Sequence, residues 1–248
     1  MRAISELLLE ELVVAEIDAH PDDFITQINL ITIMGELGIR MLNYTLTHGE
    51  ATTKNHHPDS SFDPKQGHRK QEGKLGARRV GFETYTQLDG TDGNLTADHT
   101  RLVTAVAKLL VADEVDLIIG LTQFSPDDSP DHTVAGHIAL EAARQVHEKT
   151  ERGIGVLVVQ PGMEGEWVAH TSTQATILAH EGAAANPSQF RYQQPGEQQD
   201  DEWPMVANSQ AMHHKDLAEL QQYPLDRDAT YRLYTFGNLA LPRMAEFV

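Results

Sequence analysis

One short stretch, Asp18-Ala19-His20-Pro21-Asp22-Asp23-Phe24, breaks an otherwise apolar run with a histidine, a proline and two adjacent carboxylates. Proline sets its own backbone angle and biases the preceding residue towards an extended conformation, so this turn is stiff. Stiffness lets His20 and one of the aspartates point at a common centre. Two ligands do not close a hydrolytic zinc site, which takes three protein ligands and keeps a position open for water. Ser129-Pro130-Asp131-His132 lies where another apolar strand has ended and a helix opens, which makes His132 the candidate third ligand. The chain contains no cysteine, so a metal must be held by His, Asp or Glu. Adjacent aspartates then have a purpose: one binds the metal while its neighbour takes a proton from water that the metal has acidified. A second His-Pro-Asp, at His57-Pro58-Asp59, has no apolar strand ahead of it and reads as a turn without metal.

These residues must be positioned by strands that alternate with helices. Residues 12–19, LVVAEIDA, read as a buried strand, and FITQINLITIMGELG follows with apolar residues near helical period. IRMLNYTLT (39–47) is a second strand, ending at His48-Gly49-Glu50. Residues 51–68 are polar and turn-rich, longer than an ordinary connection and suited to a loop over a site. RKQEGKLGARRVG is helix-compatible, LDGTDGNL is turn-rich, and residues 99–112 repeat apolar side chains at helical spacing. A strand over 115–120, a helix over 132–148 and a strand over 155–159 complete the pattern. Alternation of this kind implies a parallel sheet covered on both faces, with ligand sites at the carboxyl ends of its strands. Residues 20–23, 47–50 and 127–132 all fall at such ends.

Bulk properties bound the function. At 248 residues the chain is long enough for one large α/β domain, with a motif-bearing core over about 12–160 and a less regular part over 161–248. A Pro- and Gln-rich excursion at 183–205 and a closing helix at 208–222, carrying His213-His214, are read there. The net charge of -18, from 19 Lys+Arg against 37 Asp+Glu, argues against nucleic acid or anionic lipid as partner. No window approaches the roughly 20 apolar residues of a membrane span, and the N-terminus lacks a signal-peptide pattern. A cytoplasmic protein is expected, and the leucine-rich N-terminal segment is a candidate surface for homo-oligomer formation. The first strand is not followed by a dinucleotide-binding glycine loop, which disfavours a nucleotide binder.

Taken together, these motifs resemble the LmbE-like, or PIG-L, family of zinc N-deacetylases. The family's A-H-P-D-D-E is matched by Ala19 to Asp23, with Phe24 in place of the glutamate, and its T-x-G-E by Thr47-His48-Gly49-Glu50. Arg69-Lys70-Gln71-Glu72 matches R-x-x-E, Asp92-Gly93-Asn94-Leu95 matches D-G-x-L, and Ser129-Pro130-Asp131-His132 matches H-x-D-H. The resemblance implies a Rossmann-like three-layer α/β sandwich with a mainly parallel sheet. It implies one zinc per chain held by His20, Asp23 and His132, with Asp22 as general base. Arg69 and Asp92 would contact a small N-acylated substrate such as an N-acetylated amino sugar, the activity being that of a metal-dependent amidohydrolase. Asp18, two positions before His20 and so on its strand face, would orient a ligand histidine from behind the site. Asp131 would support the site likewise or cap the helix.

Two departures stand out. Ser129 replaces a family histidine credited with serving the leaving amine or the oxyanion; its hydroxyl donates a hydrogen bond but carries no charge. Phe24 removes a carboxylate beside the ligands. They motivate a competing reading in which the chain holds a metal but acts as a ligand-binding or interaction protein. Arg69 and Glu72 have an alternative of their own, an i,i+3 surface pair.

Overall fold

The computed structural model describes residues 2–3, 5, 8, 12–51, 68–121, 130–159, 167–169, 172–184 and 229–237. In chain order they form β1 (Arg2–Ala3), β2 (Val13–Asp18), a 3-10 turn (Asp23–Gln27) running into α1 (Ile28–Glu36), and β3 (Arg40–Thr47). Next come α2 (His68–Val80), β4 (Thr84–Gly90), α3 (Leu95–Ala112), β5 (Leu117–Gly120) and α4 (Pro130–Thr150). β6 (Ile154–Val159), β7 (Trp167–Ala169), α5 (Thr173–Ala184) and β8 (Ala229–Phe236) follow. The eight strands make one sheet in the order β1-β7-β8-β6-β5-β2-β3-β4. β2 pairs in parallel with β3 and β5, and β8 alone runs antiparallel, between β6 and β7.

Side chains alternate along a strand, so each central strand feeds two cores. Ala15 and Ile17 enter one with Leu42, Tyr44, Ile118 and the buried faces of α3 and α4. Val14 enters the other with Met41, Ile31, Ala77 and Ala179, beneath α1, α2 and α5. Burial of both faces explains the almost unbroken apolar strands and gives the expected α/β three-layer sandwich with a mixed, mainly parallel sheet. The charged exceptions in β2 are Glu16 and Asp18, which share the Val14 face and are 1% and 0% exposed, and β3 buries the polar Asn43, Thr45 and Thr47.

The structure differs from the sequence reading where local pattern is weakest. The helix read from Phe24 begins as a 3-10 turn because the Asp23 carboxylate folds back to accept the His20 N–H at 2.8 Å. β4 begins in residues assigned no element and runs three residues into the stretch read as turn; it is an edge strand, mostly half-exposed, and needs no apolar alternation. β8 was not read from the sequence, since it pairs with β6 across some seventy residues. Residues 52–67, including His57-Pro58-Asp59, lie outside the described residues, as do Ser129 and the closing helix with His213-His214. Among the described residues no helix is long and apolar enough to cross a membrane.

Adjacent parallel strands end on the same edge, and the order β5-β2-β3-β4 therefore gathers four segments. These are the 19–23 turn after β2, residues 48–51 after β3, residues 91–94 after β4, and the start of α4, in the chain beyond β5.

Candidate metal centre

At that edge His20, Asp23 and His132 converge, one ligand atom from each lying within 4.8 Å of the others. His20 Nδ1 is 3.2 Å from His132 Nε2 and 3.4 Å from Asp23 Oδ2, and His132 Nε2 is 3.2 Å from Asp23 Oδ1. Tetrahedral zinc with bonds of about 2.0–2.1 Å has ligand–ligand edges of roughly 3.4 Å, so each separation in this triangle of residues is close to such an edge, with Asp23 turning a different oxygen to each histidine. Two imidazole nitrogens and a carboxylate also suit the ion chemically. His20 is placed by the stiff turn after β2, and His132 by the first turn of α4, where Pro130 supplies a favoured opening residue.

Electrostatics point the same way. Burial opposes a charged His20, yet Asp23, Asp131 and Asp92 outweigh it and hold the ring well above the usual imidazole range. Burial likewise favours neutral Asp23, but His20 and His132 hold its carboxyl well below the usual range. Without a cation, the raised His20 stabilises the fold fully below its unfolded pKa of about 6.5, and this is lost as pH rises through the raised folded value. The depressed Asp23 stabilises it above about 3.9, and this is lost as pH falls through the lowered value. A bound cation must displace the His20 proton, so its affinity should rise with pH by up to about tenfold per pH unit for each proton released. Calorimetric titration in buffers of different ionisation enthalpy measures that proton; a pH-independent affinity would contradict the ligand assignment.

Asp22 lies beside this triangle, and its Oδ1 accepts a hydrogen bond from Arg69 Nη2 at 3.0 Å. The Arg69 side chain is 1% exposed, which overturns the reading of Arg69 and Glu72 as a surface pair. Glu72 Oε2 is 4.0 Å from Arg69 Nη1, a loose second partner. Gly49 explains how the guanidinium reaches Asp22. Its φ is +69°, and a Cβ there would stand 2.8 Å from Arg69 Nε and Nη2 and 3.0 Å from Pro21. Gly73 does the same for α2, since a Cβ there would collide with the Tyr85 hydroxyl and Pro21.

The remaining sequence candidates are distributed around this centre. Asp92, expected to meet substrate, places Oδ1 3.1 Å from His20 Nε2 and accepts the Ala51 N–H on Oδ2 at 2.7 Å. Asp131 Oδ2 stands 3.7 Å from His20 Nε2, and its carboxylate accepts the Gly93 and Leu95 N–H groups. Asp18 accepts from Asn43 Nδ2 at 2.6 Å, and Thr45 donates in turn to Asn43. Sequence reasoning missed Glu16, buried on the same face, although carboxylates at alternate positions of an apolar strand were the available signal. Burial, then proximity to other carboxylates, raises both Glu16 and Asp18 well above the usual carboxyl range.

Phe24 does not line the site. It is 0% exposed and packs edge-on against Phe82 with ring centroids 6.1 Å apart. A Cβ on Gly182 of α5 would come within 3.2 Å of its ring. The substitution therefore supplies a core side chain. Phe24→Ala should cost about 3–5 kcal/mol by urea denaturation. Phe24→Glu should cost still more, since it buries a carboxylate without a partner.

The fold has known parallels. The N,N'-diacetylchitobiose deacetylase of Pyrococcus horikoshii superimposes with a TM-score of 0.66 at 17% identity, over 90% of this chain and 83% of that one. The 4-carboxy-2-hydroxymuconate hydratase of Pseudomonas putida gives 0.59 at 16% identity, over 92% and 98%. A deacetylase of the teicoplanin biosynthesis pathway gives 0.56 at 12% identity, over 90% and 98%. No curated protein matches the sequence. The family model for PIG-L, the GlcNAc-PI de-N-acetylases, matches residues 16–143, just over half of the chain and the part that carries β2 to α4. The chain belongs to the PIG-L (LmbE-like) family.

Proposed function

We propose that this protein is a zinc-dependent N-deacylase that removes an acyl group, foremost acetyl, from the amine of an N-acetylated amino sugar or a related small conjugate. The observation that carries this reading is the convergence of His20, Asp23 and His132 with a second aspartate, Asp22, alongside. One zinc per chain, held by those three residues, would polarise the amide carbonyl and acidify water. Asp22 takes a proton from the attacking water and returns it to the departing amine. Arg69 holds Oδ1, so Oδ2 is the oxygen that handles the proton. Burial raises Asp22 above the usual carboxyl range, with Arg69 opposing and Asp23 adding, and a raised carboxylate is the stronger base. Ser129, where the family has a histidine, is proposed as a neutral catalytic hydroxyl that donates a hydrogen bond but supplies no charge. Asp18 and Asp131 support the ligands from outside.

The test is zinc content measured together with acetate release from a panel of N-acetylated amino sugars. One zinc per chain with turnover on the panel supports the proposal. Zinc without turnover on any substrate would favour the binding-protein reading. Hydration of substrate, the reaction named for the Pseudomonas protein, with no acetate release from the panel would overturn the proposal.

A further inference from the structure

We infer that Asp92, itself held by Glu50, is a positioning residue: it grips the outer nitrogen of His20 so that the inner nitrogen faces the cation. The inference rests on the metal reading of His20, Asp23 and His132, and goes beyond it by giving the 47–50 turn and the 91–95 turn a shared task.

A neutral imidazole carries one N–H, and the group that accepts it decides which nitrogen is left to bind a metal. His20 Nδ1 faces His132 and Asp23, whereas Nε2 stands 3.1 Å from Asp92 Oδ1. Asp92 is anchored on three sides. Its other oxygen accepts the Ala51 N–H, its own N–H donates to Glu50 Oε1 at 3.1 Å, and the next residue, Gly93, donates to Asp131. Glu50 is anchored through its neighbours, because Thr47 donates both its N–H and its hydroxyl to the Ala19 carbonyl, one residue before His20. The Asp92 side chain is 7% exposed, so water competes little for the contact. The links join the end of β3 and the turns after β2, β3 and β4, with Asp131 of α4 alongside, and they close on one ring nitrogen.

A rival occupant of the same space is a second cation between His20, Asp92 and Asp131, whose ligand atoms also lie within 4.8 Å of one another. Both Asp131 oxygens already accept backbone N–H groups, as does Asp92 Oδ2. Those bonds fix the carboxylates as acceptors facing the turn, which favours an Nε2–H···Oδ1 hydrogen bond over a cage.

The experiment is titration of the metal-free full chain with Co(II), following the visible absorption band in competition with a chelator. Parent, Asp92→Ala, Glu50→Ala and Glu50→Gln are compared, with thermal melts in excess chelator to establish that each is folded. We expect one Co(II) per chain for the parent and an affinity about 10- to 100-fold weaker for Asp92→Ala, with an altered band. Glu50→Ala should shift both readouts in the same direction by less. Glu50→Gln should restore them, because its carboxamide oxygen still accepts the Asp92 N–H. Parent-like affinity and spectrum in both alanine variants would overturn the inference, as would two Co(II) per parent chain with one lost in Asp92→Ala. A parent that binds no Co(II) would instead sink the metal reading beneath it. Should Asp92→Ala not fold, the Glu50 pair decides the matter by itself.

Discussion

Asp22→Asn should lower turnover by about 100- to 10,000-fold, the usual contribution of a positioned general base, while leaving the metal bound. Asparagine keeps the shape of the side chain and an oxygen for Arg69 Nη2, so the 3.0 Å contact and the local packing have no reason to change. What disappears is the carboxylate that accepts a proton. His20, Asp23 and His132 are untouched, and metal content should equal that of the parent. Kinetics and metal analysis on the same preparation separate the cases. Full metal with lost turnover supports the base assignment; activity within tenfold of the parent would move the base elsewhere; lost metal would make Asp22 a ligand.

The second large effect is on the cation itself. His132→Ala removes one of three ligands, and the loss of affinity should exceed the roughly 100-fold upper range for an outer partner. A ligand that binds only the folded state stabilises it by about 4 kcal/mol at a thousandfold excess over its Kd. For a chain of this size that raises the melting temperature by roughly 10 °C. The parent should show that rise on adding zinc and lose it with chelator; His132→Ala should melt at one temperature in both. The contrast matters because the same three residues can be read as a buried ion-pair cluster, with His132 Nε2 3.2 Å from Asp23 Oδ1. In that reading the substitution lowers stability equally with and without zinc.

The motifs were legible because each is a local arrangement whose chemistry does not depend on the rest of the chain. Pro21 stiffens a turn wherever it stands, and Val13–Asp18 carries apolar residues at four of its six positions because both of its faces are covered. Helices α3 and α4 carry their pattern in their own periodicity. β4 and β8 were not legible, because an edge strand shows no apolar alternation and an antiparallel partner far away leaves no local trace. The place of Phe24 in the core was not legible either. Its neighbours His20 to Asp23 are polar, and only the packing of Phe82 and Gly182 reveals that the next side chain turns into the core.

By itself the sequence determined the residue types at the centre: two histidines and two aspartates, no cysteine, and strand ends to present them. Tertiary structure alone decided which contacts surround them. Strand order set β2 between β3 and β5 and brought His132 within 3.2 Å of His20, more than a hundred residues away in the chain. Gly49 let Arg69 reach Asp22, and Glu50 held Asp92 against the far side of the His20 ring. Those contacts depend on distances across folded segments. A hydrogen bond has a range of about 3 Å, so its partners exist only once the chain has closed.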